Sequence, residues 1–239
     1  MGITLAVSGA AVAAAGVALL PRYPLAGVLS LWFGAAFAAV GAAYFRRTPG
    51  VFGKTGDGRL SPLRAALLFP YLVLSTLFWE VKVRLRREPV FHEIAPNLFL
   101  GRRPRGASEL PPGTALVVDL TAEFAAAPGI VTAARRYRCL PTLDHDAPPN
   151  RTAFDALVRE VAGYDAPVYV HCAIGRGRSA LFVAAVLRAR GCAADNDAAW
   201  EQVRAARPVV GLSGVQAAFL YDATTPPTSL ESESNTPNT

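Results

Sequence analysis

Two uninterrupted apolar stretches open the chain. Ile3 to Leu20 and Leu25 to Phe45 contain no charged residue, and only Pro21-Arg-Tyr-Pro24 separates them. Eighteen and twenty-one residues, as helices rising 1.5 Å per residue, each suit a hydrocarbon layer of about 30 Å. Neither run has the polar face of a soluble amphipathic helix, and no Lys or Arg precedes Ile3 to make a signal-peptide n-region. The pattern predicts a transmembrane helical hairpin over 1–47. Residues 48–90 read as a basic loop followed by a membrane-associated segment. There the apolar run Ala65 to Trp79 is short, contains Pro70 and has basic residues on both sides. A full crossing would strand one basic flank, so a re-entrant or interfacial helix is expected.

From Phe91 the pattern changes to short buried strands alternating with amphipathic helices, an α/β domain predicted over 91–222. Ala115 to Leu120, Tyr137 to Leu140 and Val168 to Val170 read as strands. Asn150 is placed to cap a helix whose apolar face is Phe154, Leu157, Val158 and Val161. A cluster of Asp195, Asn196 and Asp197 precedes another helix, and Ser213-Gly-Val-Gln216 is a capping box for the last. Residues 223–239 are Ser/Thr/Pro-rich and polar, which predicts disorder.

Composition sharpens this picture at three points. Hydrophobic residues make up 52% of the 239, and the surplus sits in the N-terminal runs. The three cysteines, Cys139, Cys172 and Cys192, are an odd number without paired spacing, which fits free thiols in a reducing compartment. No Cys or His pair has ligand spacing, so no metal and no cofactor is expected. The net charge of +6 lies largely beside the apolar segments, at Arg46, Arg47, Lys54, Arg59, Arg64, Lys82, Arg84, Arg86 and Arg87. That placement points to an anionic membrane surface rather than a nucleic acid. By the positive-inside rule it also predicts a multi-pass protein of the inner (cytoplasmic) membrane with its α/β domain in the cytosol.

The densest chemistry is Pro167-Val-Tyr-Val-His-Cys-Ala-Ile-Gly-Arg-Gly-Arg-Ser179. A buried strand runs into His171 and Cys172, passes Gly175 and Gly177, and opens at Arg178 into the apolar helix Ala180 to Leu187. Backbone N–H groups of such a loop, with the helix N-terminus behind them, cradle an anion. Cys172 sits at the mouth of the cradle, where the same field favours a thiolate. Six positions on, Arg178 is placed to hold two phosphate oxygens as a planar fork.

His-Cys-x5-Arg-Ser resembles the signature of the cysteine-dependent protein tyrosine and dual-specificity phosphatases. Leu140-Pro-Thr-Leu-Asp144, the Ile-Ala-Pro-Asn-Leu-Phe-Leu-Gly101 opening and the Arg207-Pro208 followed by a Gln-bearing helix are similar to other parts of that domain. The resemblance covers roughly Phe91 to Asp222 and implies a central mixed sheet flanked by helices. It also implies a cysteinyl-phosphate mechanism. Cys172 would attack phosphorus, Arg178 bind the phosphoryl group, Ser179 assist the departing thiolate and His171 support the loop. Ala173, Ile174, Gly175, Arg176, Gly177 and Arg178 would bind phosphate. Asp144 is the favoured general acid, Asp146 the alternative, and His145 a solvated loop residue.

Gly-Arg-Gly-Arg-Ser resembles the loops of phosphoinositide phosphatases as much as those of protein phosphatases. With the site tethered close to a bilayer, and with Arg102, Arg103, Arg105 and Arg176 as further charges, a phospholipid phosphomonoester is the favoured substrate. A phosphotyrosine, phosphoserine or phosphothreonine protein, or a non-catalytic phosphate-binding membrane module, are the alternatives.

Overall fold

The computed structural model describes residues 2–222, so the tail expected over 223–239 lies outside the described residues. Helices α1 (Gly2–Leu19) and α2 (Pro24–Arg46) form an antiparallel hairpin. Each is long and apolar enough to cross a membrane by length and composition, and most of their residues are not buried by protein. Glycines hold them together. Gly2, Gly9 and Gly16 face Gly41, Gly34 and Gly27, a seven-residue repeat on each helix that keeps one stripe at the contact. A methyl group on Gly9 would lie 2.5 Å from the Ala38 nitrogen, and one on Gly34 2.5 Å from the Ala13 nitrogen. The backbones therefore touch directly, as at small-residue interfaces between membrane helices.

The basic segment that follows is not a free loop. A 3-10 turn over Pro49–Phe52 and a bridge between Lys54 and Leu60 fold it against the α/β domain. Phe52 is buried, and Gly58 accepts a hydrogen bond from the Ala126 N–H. The apolar run expected as one helix is two, α3 (Pro62–Leu67) and α4 (Phe69–Arg86), broken at Leu68. Pro70 stands in the first turn of α4, where a residue without an N–H is tolerated. One face of α4 buries Tyr71 and Trp79, while Phe69, Val73, Leu77, Phe78, Val81 and Leu85 leave an exposed apolar stripe on the other.

The expected α/β arrangement follows. Strands β1 (Phe91–Ala95), β2 (Leu98–Arg102), β3 (Leu116–Thr121), β4 (Arg136–Thr142) and β5 (Val168–Cys172) form one sheet in the order β1-β2-β5-β3-β4. Only the β1–β2 pair is antiparallel. The short α5 (Ile130–Ala133) links β3 to β4, and α6 (Arg151–Ala162), α7 (Arg178–Ala189), α8 (Asn196–Ala206) and α9 (Gly214–Tyr221) complete the chain. Asn150 and Asp195 cap α6 and α8, and Ser213 with Gln216 forms the capping box of α9, as the sequence predicts.

Alternation along the strands divides the core. Leu116, Val118, Val168 and Val170 pack with Phe154, Leu157 and the buried face of α7. Val117, Tyr169 and Tyr137 pack on the other side with Ile130 and Ala134. The hairpin joins through a separate cluster in which Val40, Phe52, Leu68 and Tyr71 meet Ala122 and Leu143. Central β5, buried throughout, delivers its C-terminal end to the site.

Candidate active site

The loop Ala173–Gly177 joins β5 to α7, and its carbonyls are held from outside. The Ala173 carbonyl accepts from Trp79 Nε1 at 2.8 Å and from the Arg103 N–H at 3.1 Å. The Gly175 carbonyl accepts from Arg207 Nε at 2.9 Å, and the Arg176 carbonyl from the Gly211 N–H at 3.3 Å. In a trans peptide the C=O and the next N–H point opposite ways. Each anchor thus turns the following N–H away from the framework and toward the loop's mouth. Gly175 has φ +68°, and a Cβ there would lie 2.4 Å from the Gly101 carbonyl carbon, so only glycine fits. Gly177 has an ordinary negative φ, and its constraint is the side chain of Gln216 pressed against it.

Cys172 is buried at the foot of the loop, with Sγ 3.4 Å from Ser179 Oγ. Arg178, the first residue of α7, is 2% exposed. Its Nη1 donates to Glu123 Oε2 at 2.9 Å and to the Thr142 carbonyl at 2.8 Å, while Nη2 donates to Glu123 Oε1 at 2.8 Å. Asp144 Oδ1 lies 3.1 Å from the same Nη2, and Arg178 Nε has no hydrogen-bond partner among the described residues. Burial works against the charge on Arg178, but Glu123 and Asp144 outweigh it and hold the guanidinium firmly protonated.

The two candidate acids part company here. Asp144 stands partly exposed at the mouth. Burial raises its proton affinity, yet Arg178 prevails and holds the carboxyl below its ordinary range. Asp146 turns inward on its own loop, where Oδ1 accepts from the Ala147 N–H and its carbonyl accepts from Gln216 Nε2. His145 is exposed, at φ +60°.

The further arginines are engaged elsewhere. Arg102 makes a two-pronged bond to Glu109, and Arg105 pairs with Glu80. Arg103 donates to the Ala125 carbonyl and stacks over Trp79 and Phe124. Arg176 pairs with Glu88. Each of the four side chains that the sequence offers as further charge for a substrate thus has a protein partner in the fold.

The profile of the "Swiss Army Knife protein, DSP-PTPase phosphatase domain" matches residues 101–225, more than half of the chain. The chain belongs to this family. It is a dual-specificity-type cysteine phosphatase. Among solved structures, a mouse putative dual specificity phosphatase complexed with zinc tungstate is 29% identical, with a TM-score of 0.48 over 56% of this chain and 86% of that one. Human DUSP28 is 24% identical, with a TM-score of 0.45 over 56% and 93%. PTPMT1 in complex with PI(5)P is 22% identical, with a TM-score of 0.50 over 56% and 93%. No curated protein sequence matches the chain.

Several residues of this phosphatase's site escape sequence reasoning. Glu123, the fork partner of Arg178, follows β3 at a strand exit that reads as an ordinary turn. Arg207, which the sequence offers only as part of an Arg-Pro motif without a role, is fully buried and braces Gly175 from across the domain. Trp79 reaches the loop from α4, outside the matched region. Lys54, expected as a basic residue beside the membrane, is buried instead, with its ammonium 2.7 Å from Asp119 Oδ2.

Proposed function

We propose that this phosphatase is anchored by its helical hairpin and hydrolyses a phosphomonoester on a phospholipid head group through a cysteinyl-phosphate intermediate. The Cys172 thiolate attacks phosphorus, and the bond from phosphorus to the leaving oxygen breaks. The loop N–H groups, Arg178 Nε and Arg178 Nη2 hold the phosphoryl oxygens. Asp144 gives its proton to the departing oxygen. A water then attacks the phosphocysteine, Asp144 takes the proton from that water, and phosphate and thiolate are released. Ser179, at hydrogen-bond distance from Cys172, stabilises the thiolate as it leaves.

Asp144 is an ionised partner of Arg178. A phosphate dianion competes for that guanidinium, and losing the cation while gaining a nearby anion both raise the proton affinity of Asp144. Substrate binding thereby arms the acid.

The observation that carries the lipid assignment is α4. Its inner face donates Trp79 to the phosphate loop and its outer face is the exposed apolar stripe. A stripe seated in the interfacial layer puts the loop about one helix diameter, roughly 10 Å, from the lipid head groups. The hairpin supports the same orientation, because Gly2 packs beside Tyr44 at the domain end and the turn at 20–23 lies at the far end. Exposed Arg46, Arg47, Arg59 and Arg64 then mark the cytosolic side.

The test compares kcat/KM of the full chain for a lipid phosphomonoester in mixed micelles with that for phosphotyrosine and phosphothreonine peptides. A preference for lipid is expected. A tenfold preference for peptide, about 1.4 kcal/mol of transition-state binding, would refute the lipid assignment. Cys172→Ser is expected to abolish turnover and EDTA to leave it unchanged. Substantial activity in the serine variant would remove the covalent mechanism.

A further inference from the structure

One buried lysine that packs into the phosphatase domain lies outside the matched region 101–225. Lys54 belongs to the segment between the hairpin and α3, yet its side chain is fully buried. The ammonium donates to Asp119 Oδ2 at 2.7 Å, to the Thr121 carbonyl at 2.8 Å and to Thr121 Oγ1 at 2.9 Å. All three of its protons are used. Asp119 is equally saturated. Tyr137 OH donates to Oδ2 at 2.7 Å, and the Thr121 N–H and Oγ1 donate to Oδ1 at 2.8 and 2.7 Å.

Asp119 and His171 are register partners on neighbouring parallel strands, so their side chains share a face of the sheet. His171 Nδ1 lies 3.9 Å from Asp119 Oδ1 and 3.4 Å from the Cys172 carbonyl. Burial keeps this imidazole neutral, its affinity for a second proton pushed down to about 4. A neutral imidazole carries one proton, and a carboxylate beside one ring nitrogen favours the tautomer protonated there. With its proton on Nδ1 the ring donates to the Cys172 carbonyl, and the Asp119 carboxylate at 3.9 Å favours that tautomer electrostatically without accepting a hydrogen bond from it. Fixing that carbonyl fixes the first peptide of the phosphate loop and turns the Ala173 N–H toward the mouth.

We propose that Lys54 is a positioning residue of the catalytic site: by holding Asp119 as an oriented carboxylate, it sets the His171 tautomer that aligns the Cys172 end of the phosphate loop. The membrane-proximal segment is thereby a working part of the catalytic domain. Without Lys54, Asp119 would be a buried carboxylate lacking its cation, a state that either destabilises the fold or takes up a proton. A protonated Asp119 no longer distinguishes the two imidazole tautomers.

This inference rests on Cys172 as the reactive thiol, and its test needs no lipid substrate. The full chain in detergent is treated with iodoacetate, and carboxymethylation of Cys172 is followed by peptide mass, so that exposed Cys192 is counted separately. Wild type is compared with Lys54→Met, Asp119→Asn and the charge-matched pair Lys54→Met/Asp119→Asn, with Tm and kcat for an aryl phosphate measured alongside. Each single variant is expected to slow carboxymethylation and lower kcat by tenfold or more. The double variant has no uncompensated buried charge and is expected to regain much of the lost Tm while remaining slow in both assays. Recovery of both rates together with Tm would overturn the proposal and leave Lys54 as a staple. Wild-type rates in Lys54→Met would overturn it equally. A failure of the lipid assignment would appear only in the substrate comparison and would leave the carboxymethylation result standing.

Discussion

Lowering the pH should weaken this fold through one histidine. His171 is buried between β3 and β2, and burial holds its folded-state value at about 4, against 6.5 in the unfolded chain. Asp119 beside it works in the opposite direction, and Lys54 and Arg103 reinforce the burial. As pH falls through 6.5 the unfolded chain takes up a proton at this position and the fold does not. The unfolded state therefore binds more protons across the window from about 6.5 to about 4, and stability falls as pH falls through it. The difference corresponds to about 3 kcal/mol at the acid end. For a chain of this length that is a loss of about 6–12 °C in Tm.

The assay is differential scanning fluorimetry of the full chain in an uncharged detergent, from about pH 7.5 down to about 4. His171→Asn removes the titrating group while keeping a donor near the Cys172 carbonyl. His92 is also held down by burial and by Arg207, but it is present in both proteins and cancels in the comparison. Asp119 and Asp144 have depressed values and act at lower pH. The wild-type Tm should fall more steeply than that of the variant between about 6.5 and 4. Parallel curves would refute the argument, because the slope would then belong to other groups.

Asp144→Asn should lower kcat for an unactivated phosphate ester by roughly 10²–10⁴-fold, with a smaller loss for an aryl phosphate whose leaving group needs little protonation. Asp146→Asn should change kcat only a few-fold, because that carboxylate caps its own loop; the reverse ranking in steady-state kinetics would transfer the acid role to Asp146. Gly34→Leu should part the hairpin, since even a methyl group there would meet the Ala13 nitrogen at 2.5 Å. An unchanged melting transition in detergent would show that the close glycine contact is not what holds α1 to α2.

Much of this protein is legible from local pattern alone. Unbroken apolar runs declare the hairpin, alternation and β-branched residues declare the strands, and Asn150, Asp195 and Ser213 declare their helices, because each signal depends on neighbours within a turn or two. The Cys172 to Ser179 segment is legible for the same reason: strand, glycine loop, arginine and helix start are contiguous. Even the seven-residue glycine repeat of α1 and α2 is printed in the chain, although only the packed helices reveal the two stripes as partners.

What the tertiary structure alone decided is the set of groups that bear on the loop from a distance. Glu123 and Arg178 are 55 residues apart, Lys54 and Asp119 65, and Trp79 and Ala173 94. A lysine beside a membrane segment and a lysine buried on a carboxylate look alike in one dimension, because the free energy of burying an ammonium depends on which anion the fold brings to it. The arginines near the site are the converse case. Arg102, Arg103, Arg105 and Arg176 look like charge available to a ligand, and folding supplies each with a carboxylate or a carbonyl before any ligand arrives.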